Sequence, residues 1–198
     1  NLLIVTILIE FNQKFLIFNM GNQKKIIQIS FHLIMGYILF NMPWLGTYIG
    51  IFVVIYGTYR ILCTIDADGV LPLFFSAYIV GVEVLLRMCK ASLFWEFGKY
   101  AVIYFLLLGF FRKKSKVHIY YPILCYFFLL LPAIIYLPLN SLNIWRQDVA
   151  FNLGGPACIT IVTLYLFNFK LNRNDLFKIL FYSILPILSM SIVILFKM

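Results

Sequence analysis

Val70–Cys89 reads VLPLFFSAYIVGVEVLLRMC, an apolar run with two charges, Glu83 and Arg87, set inside it. A helix needs about 20 mostly apolar residues to cross a bilayer, and this segment has that length and character. It is not an isolated case. The chain of 198 residues is 64% hydrophobic and 12% charged, with a mean hydropathy of +0.99. Soluble domains carry about 25% charged residues and need polar side chains to cover their surface. Aromatic residues reach 19%, and there are four cysteines, which excludes disorder and a disulfide-stapled secreted domain. The apolar runs are continuous, not alternating in ten-residue strands, which excludes a transmembrane barrel. The composition therefore predicts an all-α, polytopic bundle of transmembrane helices.

Reading outward from Val70–Cys89, the expected spans are Ile29–Phe40, Trp44–Leu62, Val70–Cys89, Tyr100–Phe111, Ile119–Leu137, Leu153–Phe169 and Leu176–Phe196, about seven in all. Pro43 stops the first of them, since the residue before proline disfavours the helical region. Pro186 predicts a kink in the last. Residues 1–28 read as a partial or interfacial helix, broken by Glu10, Asn12, Gln13 and Lys14, followed by the basic loop GNQKKIIQ; residues 29–198 form the bundle, and the whole is one membrane domain. With no initiator Met at Asn1 and an apolar helix running up to Met198, the chain reads as a piece of a longer protein.

The net charge is +9, from 16 Lys and Arg against 7 Asp and Glu. The cations lie in short clusters between apolar runs, which marks cytoplasmic loops and not nucleic-acid binding. Alternation places Lys14, Lys24, Lys25, Arg60, Arg112, Lys113, Lys114, Lys116, Lys170, Arg173 and Lys178 on one side, and Arg87, Lys90, Lys99, Arg146 and Lys197 on the other. The positive-inside rule makes the first side cytoplasmic. Cys63, Cys89, Cys125 and Cys158 are widely spaced without a CxxC, so they read as small buried hydrophobes, not metal ligands or bridges.

Charges on the cation-poor outer side call for an explanation. Glu83, Arg87 and Lys90 are spaced i, i+4 and i+7, one helical face. An ionisable group inside a span costs several kcal/mol unless it is paired or faces a wet cavity. The next loop adds Glu96 and Lys99, and the loop before the sixth span adds Arg146 and Asp148. Together they could line an outward-facing pocket in which Arg and Lys grip a phosphate. In the segment Asn152-Leu153-Gly154-Gly155-Pro156, Asn152 can cap a helix whose glycines allow close backbone approach to an anion. The plainer readings stand beside these. Glu83–Arg87 is also an ordinary stabilising helical pair, Lys90 and Lys99 are also snorkelling anchors, Arg146 and Asp148 also suit a surface pair, and the glycines also suit a flexible helix entry. Asp66 and Asp68 spell DxD beside Gly69, which reads as a turn. No HExxH, G-x-S-x-G or Walker loop is present, and His32 and His118 fall near the cytoplasmic ends of spans. No metal or cofactor is expected.

Gly81–Met88 (GVEVLLRM), Trp95–Tyr100 (WEFGKY) and Trp145–Pro156 (WRQDVAFNLGGP) resemble the bacterial O-antigen polymerase and O-antigen ligase superfamily over about Val70–Phe169. The resemblance implies a multi-pass protein of the bacterial inner membrane with ten or more spans, of which this chain matches the amino-terminal half. Such proteins transfer sugar chains from undecaprenyl pyrophosphate at the periplasmic face in polysaccharide and lipopolysaccharide biosynthesis. It implies Arg87 and Arg146 as the pyrophosphate grip, with Glu83, Glu96 and Asp148 orienting them or accepting a proton, and lipid-linked oligosaccharide, membrane lipids and other polysaccharide-assembly proteins as partners. Lys90, Glu96, Lys99, Asn152, Gly154 and Gly155 would contact substrate. The superfamily's large periplasmic loop, which in the ligases carries a functional histidine, falls later than the stretch matched here. Rival expectations are a transporter or flippase lined by Glu83 and Arg87, and a non-catalytic membrane subunit.

Overall fold

Every element of the computed structural model is helical, as the composition requires; it describes residues 23–64, 69–94, 96–112, 118–136, 142–169 and 171–197. The helices are α1 (23–41), α2 (Leu45–Cys63), α3 (Leu71–Met88), α4 (Phe97–Arg112), α5 (Tyr121–Leu130), α6 (Leu142–Asn168) and α7 (Arg173–Lys197). The segment 1–22, the DxD turn, Trp95, the basic cluster 113–117 and Lys170 lie outside the described residues.

The expectation of seven spans is corrected. Among the described residues, four helices are long and apolar enough to cross a membrane: Leu45–Cys63, Leu71–Met88, Ile144–Asn168 and Arg173–Phe196. The shortfalls have physical causes. At 16 residues, α4 covers about 24 Å at 1.5 Å per residue, against a hydrocarbon core of about 30 Å. The expected span Ile119–Leu137 divides into α5 and a 3-10 turn, Leu131–Tyr136. Pro132 lacks the N–H that would bond the Phe128 carbonyl, and its ring crowds the preceding turn.

Two boundaries move as well. The chain is already helical at residue 23, inside the expected basic loop. Helix α6 begins at Leu142, so Asn152-Leu153-Gly154-Gly155-Pro156 lies in a helix interior and does not open one. No helix breaker occurs between Leu142 and Phe151, and Arg146 and Asp148 therefore stand on a helix, not a loop. Pro156 lies mid-helix and cannot donate to the Asn152 carbonyl; one turn on, Thr160 Oγ1 donates to the Pro156 carbonyl at 2.8 Å.

Helix α3 is the hub, packed against α2, α4 and α7. One apolar cluster joins Val53 and Ile61 of α2, Ile79 and Val82 of α3, Phe105 and Leu106 of α4 and Tyr165 of α6. A second joins Met35 and Leu39 of α1, Leu85 and Cys89 at the end of α3 and Val193 of α7. Burial alone drives little helix association in lipid, so close backbone approach at small residues carries much of it. A β-carbon on Gly36 or on Gly81 would lie 2.5 Å from a backbone carbonyl oxygen of α7, that of Ser189 or Ser183 respectively. Helix α7 is thus clasped between α1 and α3. The Ser189 hydroxyl adds a buried interhelical bond to the His32 carbonyl at 2.6 Å. The helices alternate in direction, so Gln28, Arg60 and Lys178 share one end, and Arg87, Lys99 and Arg146 the other.

Candidate functional site

The charged end of α3 is built by local rules. The helix closes in a Schellman turn: the Lys90 N–H bonds the Arg87 carbonyl at 3.1 Å and the Ala91 N–H bonds the Leu86 carbonyl at 3.0 Å. Such a turn places its C′ residue in the left-handed region, usually as glycine. Here that residue is Lys90, with φ of 53°.

One turn earlier, Arg87 Nη2 donates to Glu83 Oε1 at 2.5 Å; the two side chains are 38% and 17% exposed. The Glu83 carboxylate also packs directly on Gly98 of α4, leaving no room there for a β-carbon. A cavity of about 310 Å³ opens beside this pair. Its polar lining is Glu83, Arg87 and Lys90; Leu86, Leu93, Phe94 and Phe97 supply apolar walls. The sequence groups these three charges correctly on one face. It misses the apolar walls that Leu93 and Phe94 of the loop and Phe97 of α4 add to Leu86 of α3.

Glu96 and Lys99 form a second pair next door. Lys99 Nζ donates to Glu96 Oε1 at 2.7 Å and also stands over the Phe151 ring at 5.7 Å. Glu96 is only 6% exposed, and its Oε2 has no hydrogen-bond partner among the described residues. That oxygen faces Gly154 of α6, where a β-carbon would lie 2.7 Å from it. A carboxylate resting on a glycine therefore joins α3 to α4 and, a second time, joins Glu96 to α6. Glu96 and Lys99 do not line the cavity.

The remaining expected residues stand apart. Arg146 and Asn152 are exposed and Asp148 is half-buried. Among the described residues none of the three makes an ion pair or side-chain hydrogen bond. Arg146 lies about 12 Å along α6 from Gly154, eight residues at 1.5 Å each. A β-carbon on Gly155 would meet nothing within 4 Å among the described residues. All four cysteines are free thiols, and among the described residues no three His, Cys, Asp or Glu gather as a metal site.

Chemically, the cavity offers two cations against one carboxylate, with one cation held rigidly and the other at a fixed helix terminus. Such a set suits an anion carried on an apolar body. No family model, no curated protein and no solved structure matches the chain.

Proposed function

We propose that this protein handles a pyrophosphate-linked amphiphile at the cation-poor end of its bundle, as part of bacterial surface-polysaccharide assembly. The observation that carries the reading is the Glu83–Arg87–Lys90 cavity with its apolar walls. The resemblance of the GVEVLLRM, WEFGKY and WRQDVAFNLGGP segments supplies the substrate, an undecaprenyl-pyrophosphate-linked oligosaccharide, and the site, the periplasmic face of the inner membrane. In this reading a sugar hydroxyl of one chain attacks the anomeric carbon of another. The new glycosidic bond forms as the bond to pyrophosphate breaks, and the lipid pyrophosphate leaves. Arg87 and Lys90 stabilise the charge that grows on the leaving group, and Glu83 orients Arg87 and accepts the hydroxyl proton. The resemblance assigns a part to Arg146 and Asp148 of α6 as well, although both stand outside the cavity. A transporter reading is less well served, because Ile79, Val82, Phe105 and Leu106 pack the middle of the bundle without charge.

The test is a surface-polysaccharide profile from cells carrying wild type, Arg87→Gln or Arg146→Gln, with protein levels checked in membranes. Loss of long chains with single repeat units still attached indicates a polymerase. Loss of attachment with lipid-linked polymer accumulating indicates a ligase. An unchanged profile for both variants overturns the proposal.

A further inference from the structure

At the opposite, cation-rich end lies a larger cavity of about 630 Å³, which the reading above does not use. Helices α1 and α2 are joined by the short turn 42–44 at the outer end, and the cavity lies towards their other ends, lined by Gln28 and His32 of α1 and by Phe52, Tyr56 and Arg60 of α2. Helices α3 and α7 form the floor of this wedge.

The polar groups inside the wedge are matched to one another. His32 Nδ1 donates to the Gln28 carbonyl at 2.8 Å. Its Nε2 is then an acceptor, and the Tyr78 hydroxyl donates to it at 3.0 Å. Gln28 Nε2 donates to the Tyr182 hydroxyl at 3.2 Å. Of the two cations at the rim, Lys178 is paired and Arg60 is not, among the described residues. The Arg60 guanidinium has no ion pair or hydrogen bond among the described residues, and Lys178 spends one donor on Asp175 at 3.3 Å. Asp175 is the sole carboxylate at this end among the described residues, against Lys24, Lys25, Arg60, Arg112, Arg173 and Lys178. From this rim the wall runs along Tyr56 and exposed Phe52 towards the bilayer centre, about 12 Å from Arg60 at 1.5 Å per residue, with Phe75 behind.

The geometry points to a binding site for an anionic phospholipid of the leaflet at the cation-rich end, its phosphate between Arg60 and Lys178 and its acyl chain in the wedge between α1 and α2. Charge complementarity at the rim selects the headgroup, and the aromatic wall selects a lipid over a soluble phosphate. The inference is independent of the proposed polysaccharide role.

The test uses the full chain in detergent, read by thermal unfolding as dioleoyl phosphatidylglycerol is added. Dioleoyl phosphatidylcholine supplies the same tails without net charge, and glycerol phosphate supplies the head alone. Phosphatidylglycerol is expected to raise the midpoint saturably and the other two are not. Arg60→Gln and Lys178→Gln should each weaken the apparent affinity roughly fivefold. Arg173→Gln, an exposed cation at the same end outside the wedge, should change it less than about twofold. An equal loss in Arg173→Gln, an equal response to phosphatidylcholine, or an equal response to glycerol phosphate overturns the site. As a second reading, Phe52→Trp places a fluorophore on the wedge wall at an exposed position. Brominated phosphatidylglycerol should quench it, and adding Arg60→Gln should remove the quenching; quenching that survives Arg60→Gln overturns the site.

Discussion

The Glu83 carboxylate is held from two sides, by Arg87 one turn along α3 and by the bare Cα of Gly98 on α4. The pair is thus more than a helical tether. The glycine brings α4 close enough to shape the cavity around the charges. Gly98→Ala should displace the carboxylate and cost about 1–3 kcal/mol of stability. In an Glu83→Ala background the same change should cost much less, because the clashing group is gone. A double-mutant cycle by thermal unfolding in detergent checks this; strict additivity would refute the contact.

Lys90 occupies a left-handed position that glycine fills without strain. Lys90→Gly should therefore stabilise the chain by about 1 kcal/mol, whereas Lys90→Gln keeps the strain. If Lys90 binds an anion, both variants lose that binding although only one gains stability. Unfolding midpoints and binding of a pyrophosphate-headed lipid, measured on both variants, separate backbone strain from charge.

Gly81 and Gly155 make opposite predictions for the same substitution. Gly81→Ala drives a methyl group into the Ser183 carbonyl, a backbone atom that cannot rotate away, and should cost about 1–3 kcal/mol. Gly155→Ala meets open space in a helix and should gain about 0.5–1 kcal/mol. Equal effects in unfolding experiments would contradict the packing of α7 on α3.

Gly69 has φ of 64° and lies under the Phe169 ring, while Tyr165 donates to its carbonyl at 2.8 Å. Gly69→Ala adds backbone strain of about 1–2 kcal/mol and a collision with Phe169. A lowered unfolding midpoint larger than that of Tyr165→Phe, which removes the hydrogen bond alone, is the expected result.

The helical class and the grouping of Glu83, Arg87 and Lys90 could be read in one dimension, because both follow from spacing along a single helix. That only four helices among the described residues are long and apolar enough to span, in place of the expected seven, could not. An apolar run is visible in a sequence, but whether Pro132 shortens it, or whether α4 reaches across the bilayer, depends on where each helix begins and ends in the packed bundle. Gln28 and His32 also share a helical face at i and i+4, a signal of the second cavity that gains meaning only once Tyr78 and Tyr182 arrive from other helices.

The sequence by itself determined what periodicity and composition control: helices throughout, an apolar surface, a cation-rich end and a cation-poor one. Tertiary structure decided which charges meet. Glu96 turns away from the cavity to Gly154, Glu83 settles on Gly98, and Arg146 stands along α6 from both. Those choices depend on where small residues let two backbones approach, and that is a property of pairs of helices distant in the chain.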